Sequence, residues 1–279
     1  MGYVVIDKSY LQKVVNSASL NILAATNSIV VTDILMYEIT SSEDKSSSRS
    51  CLKKLLEIKE SAVFMQHSGG LVKNEIVNKR PCYPFSETLI SRQIYPGLWT
   101  ILNKLLNEDP MEHVEADRLN KEYSDFYEKE NVERIKKIGN DFSRMFPELI
   151  GYKPGSKTVD IDAIKREIAS CSSRIKQFIA HAKFLIDREG SLDTFEPSEY
   201  VDERWLYLRT FQTSLIYYAT YVERYGDEAG NVVSSKLPHD SVDLEYCICG
   251  IHAGKVATGD KMIRDIFSYF QSPDNCFYK

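Results

Sequence analysis

Four acidic residues stand where short apolar runs end. Asp7 closes the run Tyr3-Val4-Val5-Ile6, and Asp260 follows Lys255-Val256-Ala257-Thr258-Gly259. Glu38 lies one turn into a helix-like stretch after Ile29-Val30-Val31, and Asp243 opens the helix-like segment Asp243-Leu244-Glu245-Tyr246. In a parallel α/β sheet the carboxyl ends of the strands share one edge, and ligands bind there. Acids far apart in sequence then converge in space. Converging carboxylates repel each other, and a cation relieves the repulsion. An all-oxygen donor set favours Mg2+ or Mn2+ over zinc, and such an ion with open positions activates water near pH 7. Asp7, Glu38, Asp243 and Asp260 are therefore both the expected metal ligands and the expected catalytic groups.

Other metal chemistry finds little support. The six cysteines form no CxxC pair, and the five histidines have neither HxxxH nor HExxH spacing. Cys247 and Cys249 are two apart and point to different faces of a helix. Buried free thiols are the plainer expectation.

The elements that must position the acids follow from the pattern. Residues 3–7 read as a buried strand, and residues 9–17 as a short helix capped by Ser9. Residues 28–31 are a second strand, and Thr32 or Asp33 caps the helix that carries Glu38. Residues 41–50 are polar and read as a loop before a helix through Leu52, Leu55 and Leu56. Ala62-Val63-Phe64-Met65 is a third strand, closed by Ser68-Gly69-Gly70. This βαβαβ opening favours a parallel sheet with helices on its faces. The pattern returns near the end of the chain, with a helix over 243–252, a strand over 255–258, a helix over 260–270 and a small strand at 277–278.

Between these parts lies a stretch with almost no strand signal. Helices are expected through Trp99 to Leu106 and over much of the charge-rich segment 112–146. Gly151-Tyr152-Lys153-Pro154-Gly155-Ser156-Lys157 is a break. From Ile161 to Leu185, apolar residues recur at spacings of three and four, a seam for packing on another helix. A second apolar face runs from Trp205 to Val222. The expectation is an α/β core contributed by residues 1–83 and 226–279, with a helical insertion over 84–225.

Bulk properties set limits. A chain of 279 residues can hold one large domain or two small ones. Hydrophobic residues at 43% and charged residues at 27% are ordinary for a globular protein. The formal net charge of −5 argues against a protein that coats DNA nonspecifically. No apolar run approaches the roughly 20 residues of a membrane helix, and no basic region precedes an apolar one at the start of the chain. No membrane association is expected, and the cytoplasm is the default location.

The ordered acids resemble the PIN-like nuclease family. Asp7 matches its acid after the first strand. Glu38, in Thr32-Asp33-Ile34-Leu35-Met36-Tyr37-Glu38, matches its acid on the helix after the second strand. Asp243 is similar to its aspartate opening a late helix, and Thr258-Gly259-Asp260 to its Thr-x-Asp turn. The likeness covers roughly residues 1–65 and 235–270 and has no counterpart for the insertion. It implies a three-layer α/β/α fold, hydrolysis of phosphodiester bonds with Mg2+ or Mn2+, and a nucleic acid substrate, RNA favoured over DNA. By family analogy alone it also suggests a toxin or defence role with an inhibitory or complex partner protein, and self-association. Asp240 is the expected supporting acid, with Asp33 and Glu245 as further acids nearby. Thr258 is placed to orient a carboxylate or phosphate. Lys261 and Arg264 are placed to contact phosphate, with Lys236, Arg209 and Lys255 as weaker candidates. Two other readings stand beside this one. A PIN-like binding scaffold without activity would not need the four acids. A haloacid-dehalogenase-like phosphatase would need a second aspartate where Ser9 stands.

Overall fold

In the computed structural model, Gly2–Ile6 form strand β1, whose Val4, Val5 and Ile6 are fully buried. The structure describes residues 2–14, 17–83, 85–89, 95–107, 117–118, 120–121, 137–180, 184–188, 191–196 and 201–278. After β1 come helices α1 (Lys8–Lys13) and α2 (Ser17–Thr26), strand β2 (Asn27–Thr32), and helices α3 (Asp33–Thr40) and α4 (Lys45–Glu57). Strand β3 (Ala62–Met65) precedes α5 (Ser68–Asn78) and α6 (Tyr95–Leu106). A helix α7 runs over 137–145, followed by α8 (Ile161–Ala169) and α9 (Ser173–Ala180). Strands β4 (Phe184–Arg188) and β5 (Ser191–Phe195) precede the long helices α10 (Leu206–Tyr225) and α11 (Ala229–Ala253). Strand β6 (Val256–Thr258), helix α12 (Lys261–Phe267) and strand β7 (Cys276–Tyr278) complete the order.

Five strands form one parallel sheet in the order β3-β2-β1-β6-β7. β1 and β2 read as unbroken β-branched runs because parallel strands are covered on both faces. The order reverses between β1 and β6. The chain builds outward from β1 to β2 and β3, then returns on the other side with β6 and β7. Such a reversal leaves a crevice outside the carboxyl ends of the two central strands.

The chain divides into two compact units. The first comprises Met1–His67, Phe85–Glu128 and Glu245–Lys279, and holds the parallel sheet. The second comprises Ser68–Pro84 and Lys129–Leu244. The boundaries differ from the expected insertion over 84–225. α5 joins the second unit, and the division between Leu244 and Glu245 falls within α11.

Within the second unit, Ile161, Ile164, Ile168, Ile175 and Ile179 are buried, as the seam requires. The seam is nevertheless two helices. Cys171 adopts a φ of +53°, which ends α8, and the buried Gln212 of α10 donates to the carbonyls of Ile168 at 2.7 Å and Ala169 at 3.1 Å. Leu185 lies on β4, which pairs antiparallel with β5. The expectation of almost no strand in this region is corrected accordingly. The short run Phe184-Leu185-Ile186-Asp187-Arg188 does not alternate and is too short to stand out from a spacing of three and four. Among the described residues, no helix is long and apolar enough to cross a membrane.

Candidate active site

Asp7 stands at the carboxyl end of β1, beside β6, and is 2% exposed. Asp7 ends β1 and caps α1, its Oδ1 accepting the Tyr10 N–H at 2.6 Å. Ser9, expected as the cap, instead sends its hydroxyl to the Asp7 carboxylate, 2.8 Å from either oxygen. Its Oγ also accepts the Gly259 N–H at 2.8 Å. From β6, the fully buried Thr258 donates its hydroxyl to Asp7 Oδ2 and accepts the Asp260 N–H at 2.9 Å. Asp260 caps α12, with Oδ1 accepting from Met262 at 2.6 Å and Ile263 at 3.0 Å. A Cβ on Gly259 would lie 2.7 Å from Lys13 Cδ and 3.0 Å from Ser9 Oγ, so a side chain there would displace the Lys13 side chain and crowd the Ser9 hydroxyl.

These contacts set the electrostatics of Asp7. Burial pushes its carboxyl above the usual range, and the nearby charge of Asp260 pushes the same way. The donors on Thr258, Tyr10 and Ser9 pull it back without cancelling the burial.

Two further acids lie on α3, the helix that follows β2. Glu38 lies on α3, and its Oε2 accepts the Tyr246 hydroxyl at 2.7 Å. Lys8 donates to the Glu38 carbonyl at 2.9 Å. Asp33 begins α3 directly after β2, while Thr32 supplies the cap to Leu35 at 3.3 Å. Asp33 Oδ2 accepts the His67 N–H at 3.0 Å, but its buried Oδ1 has no hydrogen-bond partner. Burial and the charge of Glu245 raise Asp33 to about 6, against a smaller pull from His67. Glu245 is itself buried and accepts the Cys249 thiol at 3.5 Å.

Two of the expected acids, and the weaker phosphate candidates Arg209 and Lys236, lie in the second unit. Asp243 is half-buried well inside α11 and does not open a helix. Its apparent start was suggested by the polar segment around Pro238, which α11 continues through. Asp240 is buried, and its Oδ2 accepts the hydroxyls of Tyr217, at 3.0 Å, and Tyr221. Burial and the Asp240 charge drive the Tyr217 phenol far upward.

The expected phosphate contacts have protein partners. Lys261 pairs with Asp265, and Arg264 pairs with Asp265 at 3.1 Å while its guanidinium lies 4.3 Å from the centroid of the Tyr278 ring. Asp33 and Glu245 stand out in the sequence as further acids near the motifs, but their pairing does not. Ser9 and Tyr246 are missed as parts of the site, and of these Ser9 carries a signal, two positions after Asp7.

Among the described residues, no group of three or more His, Cys, Asp or Glu side chains is arranged to hold a metal ion. Asp7 and Asp260 nevertheless supply hard oxygen donors at the neighbouring β1–α1 and β6–α12 turns. Mg2+ is commonly bound through one or two carboxylates, with water and substrate phosphate completing its shell. The donor chemistry at the crevice fits that type of ion. Comparison of the chain with protein-family models, curated proteins and solved structures finds no match.

Proposed function

We propose that the first unit is a PIN-like nuclease of three-layer α/β/α type. It hydrolyses phosphodiester bonds, with RNA favoured over DNA. The observation that carries this reading is the linkage of Asp7 to Asp260 through Thr258 at the point where the strand order reverses. Asp7 and Asp260 would hold Mg2+ or Mn2+, with Glu38 as the further acid of the same unit that the resemblance implies. The bound ion would supply charge neutralisation and an activated water. The chain's own part is positioning. Ser9 and Thr258 fix the Asp7 carboxylate from two sides, and Tyr246 fixes Glu38.

A second reading, a nucleic-acid-binding scaffold without cleavage, has one observation in its favour. Both Asp7 oxygens are already engaged in joining α1, β1 and the β6–α12 turn. Incubating the protein with single-stranded RNA, structured RNA and DNA separates the two. Cleavage should require Mg2+ or Mn2+, stop in EDTA, and be lost in Asp7→Asn and Asp260→Asn variants that keep their circular dichroism. Persistence of cleavage in excess chelator, or its absence with either ion, would reject the nuclease.

A further inference from the structure

Tyr278 is an exposed aromatic beside the crevice. It is 42% exposed at the end of β7 and stands in register with Thr258 on β6, the residue that ties Asp7 to Asp260. Neighbouring strands lie about 5 Å apart. Two cations attend the ring. Arg264 lies 4.3 Å from its centroid and Lys13 lies 5.7 Å away. Lys13 is held by the Gly259 carbonyl and Arg264 by Asp265, so both cations are anchored beside the ring.

We propose that Tyr278 with Arg264 is a stacking platform for an unpaired base of a nucleic acid bound at this sheet edge. The inference rests on the nuclease reading for its substrate class. Phosphate alone is recognised by cations and needs no aromatic ring. An exposed tyrosine against a guanidinium offers π surface and positive charge together, the combination that binds a base and its adjoining phosphate. The net charge of −5 makes the point sharper, because general attraction to a polyanion is weak and local stacking must supply affinity. A duplex keeps its base faces occupied by neighbouring pairs, so the platform selects unpaired strands.

The test is fluorescence anisotropy in EDTA, where no metal-dependent cleavage occurs. The probes are a labelled single-stranded oligouridylate, a duplex of the same length and an abasic oligomer of the same length. The oligouridylate should bind more tightly than either of the others. Tyr278→Ala should weaken its binding about 5- to 150-fold, the range of one lost base stack. Tyr278→Phe should retain it. Tyr278→Leu preserves apolar bulk without a π face and should behave like the alanine variant, which covers a folding defect in the latter. Equal affinity of wild type and Tyr278→Leu for oligouridylate overturns the proposal, as does equal binding of the abasic oligomer or no binding of oligouridylate. Cleavage by wild type with metal reports separately. Intact cleavage with no Tyr278 dependence rejects the platform alone. A clear Tyr278 dependence with no cleavage rejects the nuclease alone.

Discussion

A buried carboxylate oxygen without a donor disfavours the charged form, and Asp33 Oδ1 is such an atom. Asp33 is raised to about 6 in the fold, against 3.8 for the free group. Below about pH 4 both folded and unfolded chains are protonated at this site, and it has little effect. As pH rises towards 6 the unfolded chain loses its proton first, so stability falls. Above that window the loss is complete, roughly 3 kcal/mol. Asp33→Asn should therefore raise stability at pH 7.5 and remove the decline between about pH 4 and 6, read from urea midpoints across pH. Thr258 calls for the opposite change. Thr258→Val removes the hydroxyl shared by Asp7 and the Asp260 N–H, and should cost about 1–3 kcal/mol. Thr258→Ser should restore most of that in the same assay. Asp7 and Asp260 were legible in the sequence because each follows a short apolar run. The Asp33–Glu245 repulsion was not, since the two residues are brought together only by the fold.

At the scale of elements, a helix of twenty residues is held at its start by a distant carboxylate. The N-cap position of α10 is Trp205, which provides no side-chain cap. The fully buried Glu75 of α5 fills the role, accepting from Leu206 at 2.9 Å, Tyr207 at 2.8 Å and Cys82 at 2.8 Å. A negative charge is favourable at that end of a helix. Burial still pushes the Glu75 carboxyl up, although all three N–H groups oppose it. Glu75→Ala leaves those donors without this acceptor and should cost about 3 kcal/mol or more in chemical denaturation. Glu75→Gln should cost less, because its amide oxygen still accepts. No local pattern announces a cap supplied from so far away. What the sequence does reveal of the elements is the βαβαβ opening and the return of β6, α12 and β7, where unbroken apolar runs are bounded by polar caps. It misses α2. It also reads a loop at residues 41–50 where Asp44 caps α4 and accepts the Ser47 N–H at 3.0 Å. A serine-rich first turn looks like a loop until its cap and the buried Cys51, Leu52 and Leu55 are seen together.

For the whole molecule, the proposed function must work against a formal charge of −5. The cations at the sheet edge are already engaged. Lys8 donates to the Glu38 carbonyl, Lys54 to the Leu11 carbonyl, Lys13 to the Gly259 carbonyl, and Lys261 and Arg264 pair with Asp265. Each phosphate contact must compete with one of these interactions, so few counterions are released when a strand binds. The affinity for oligouridylate should then fall only gently with salt, with a slope of log K against log salt of about −1 to −2, as expected for two or three phosphates on a single strand. Anisotropy titrations over a series of salt concentrations measure this slope directly. A slope steeper than about −4 would mean that a broad basic surface, rather than the Tyr278 platform, holds the nucleic acid. A gentle slope together with a large loss in Tyr278→Leu would assign the affinity to stacking, a contribution that an acidic protein can make to a polyanion without first neutralising itself.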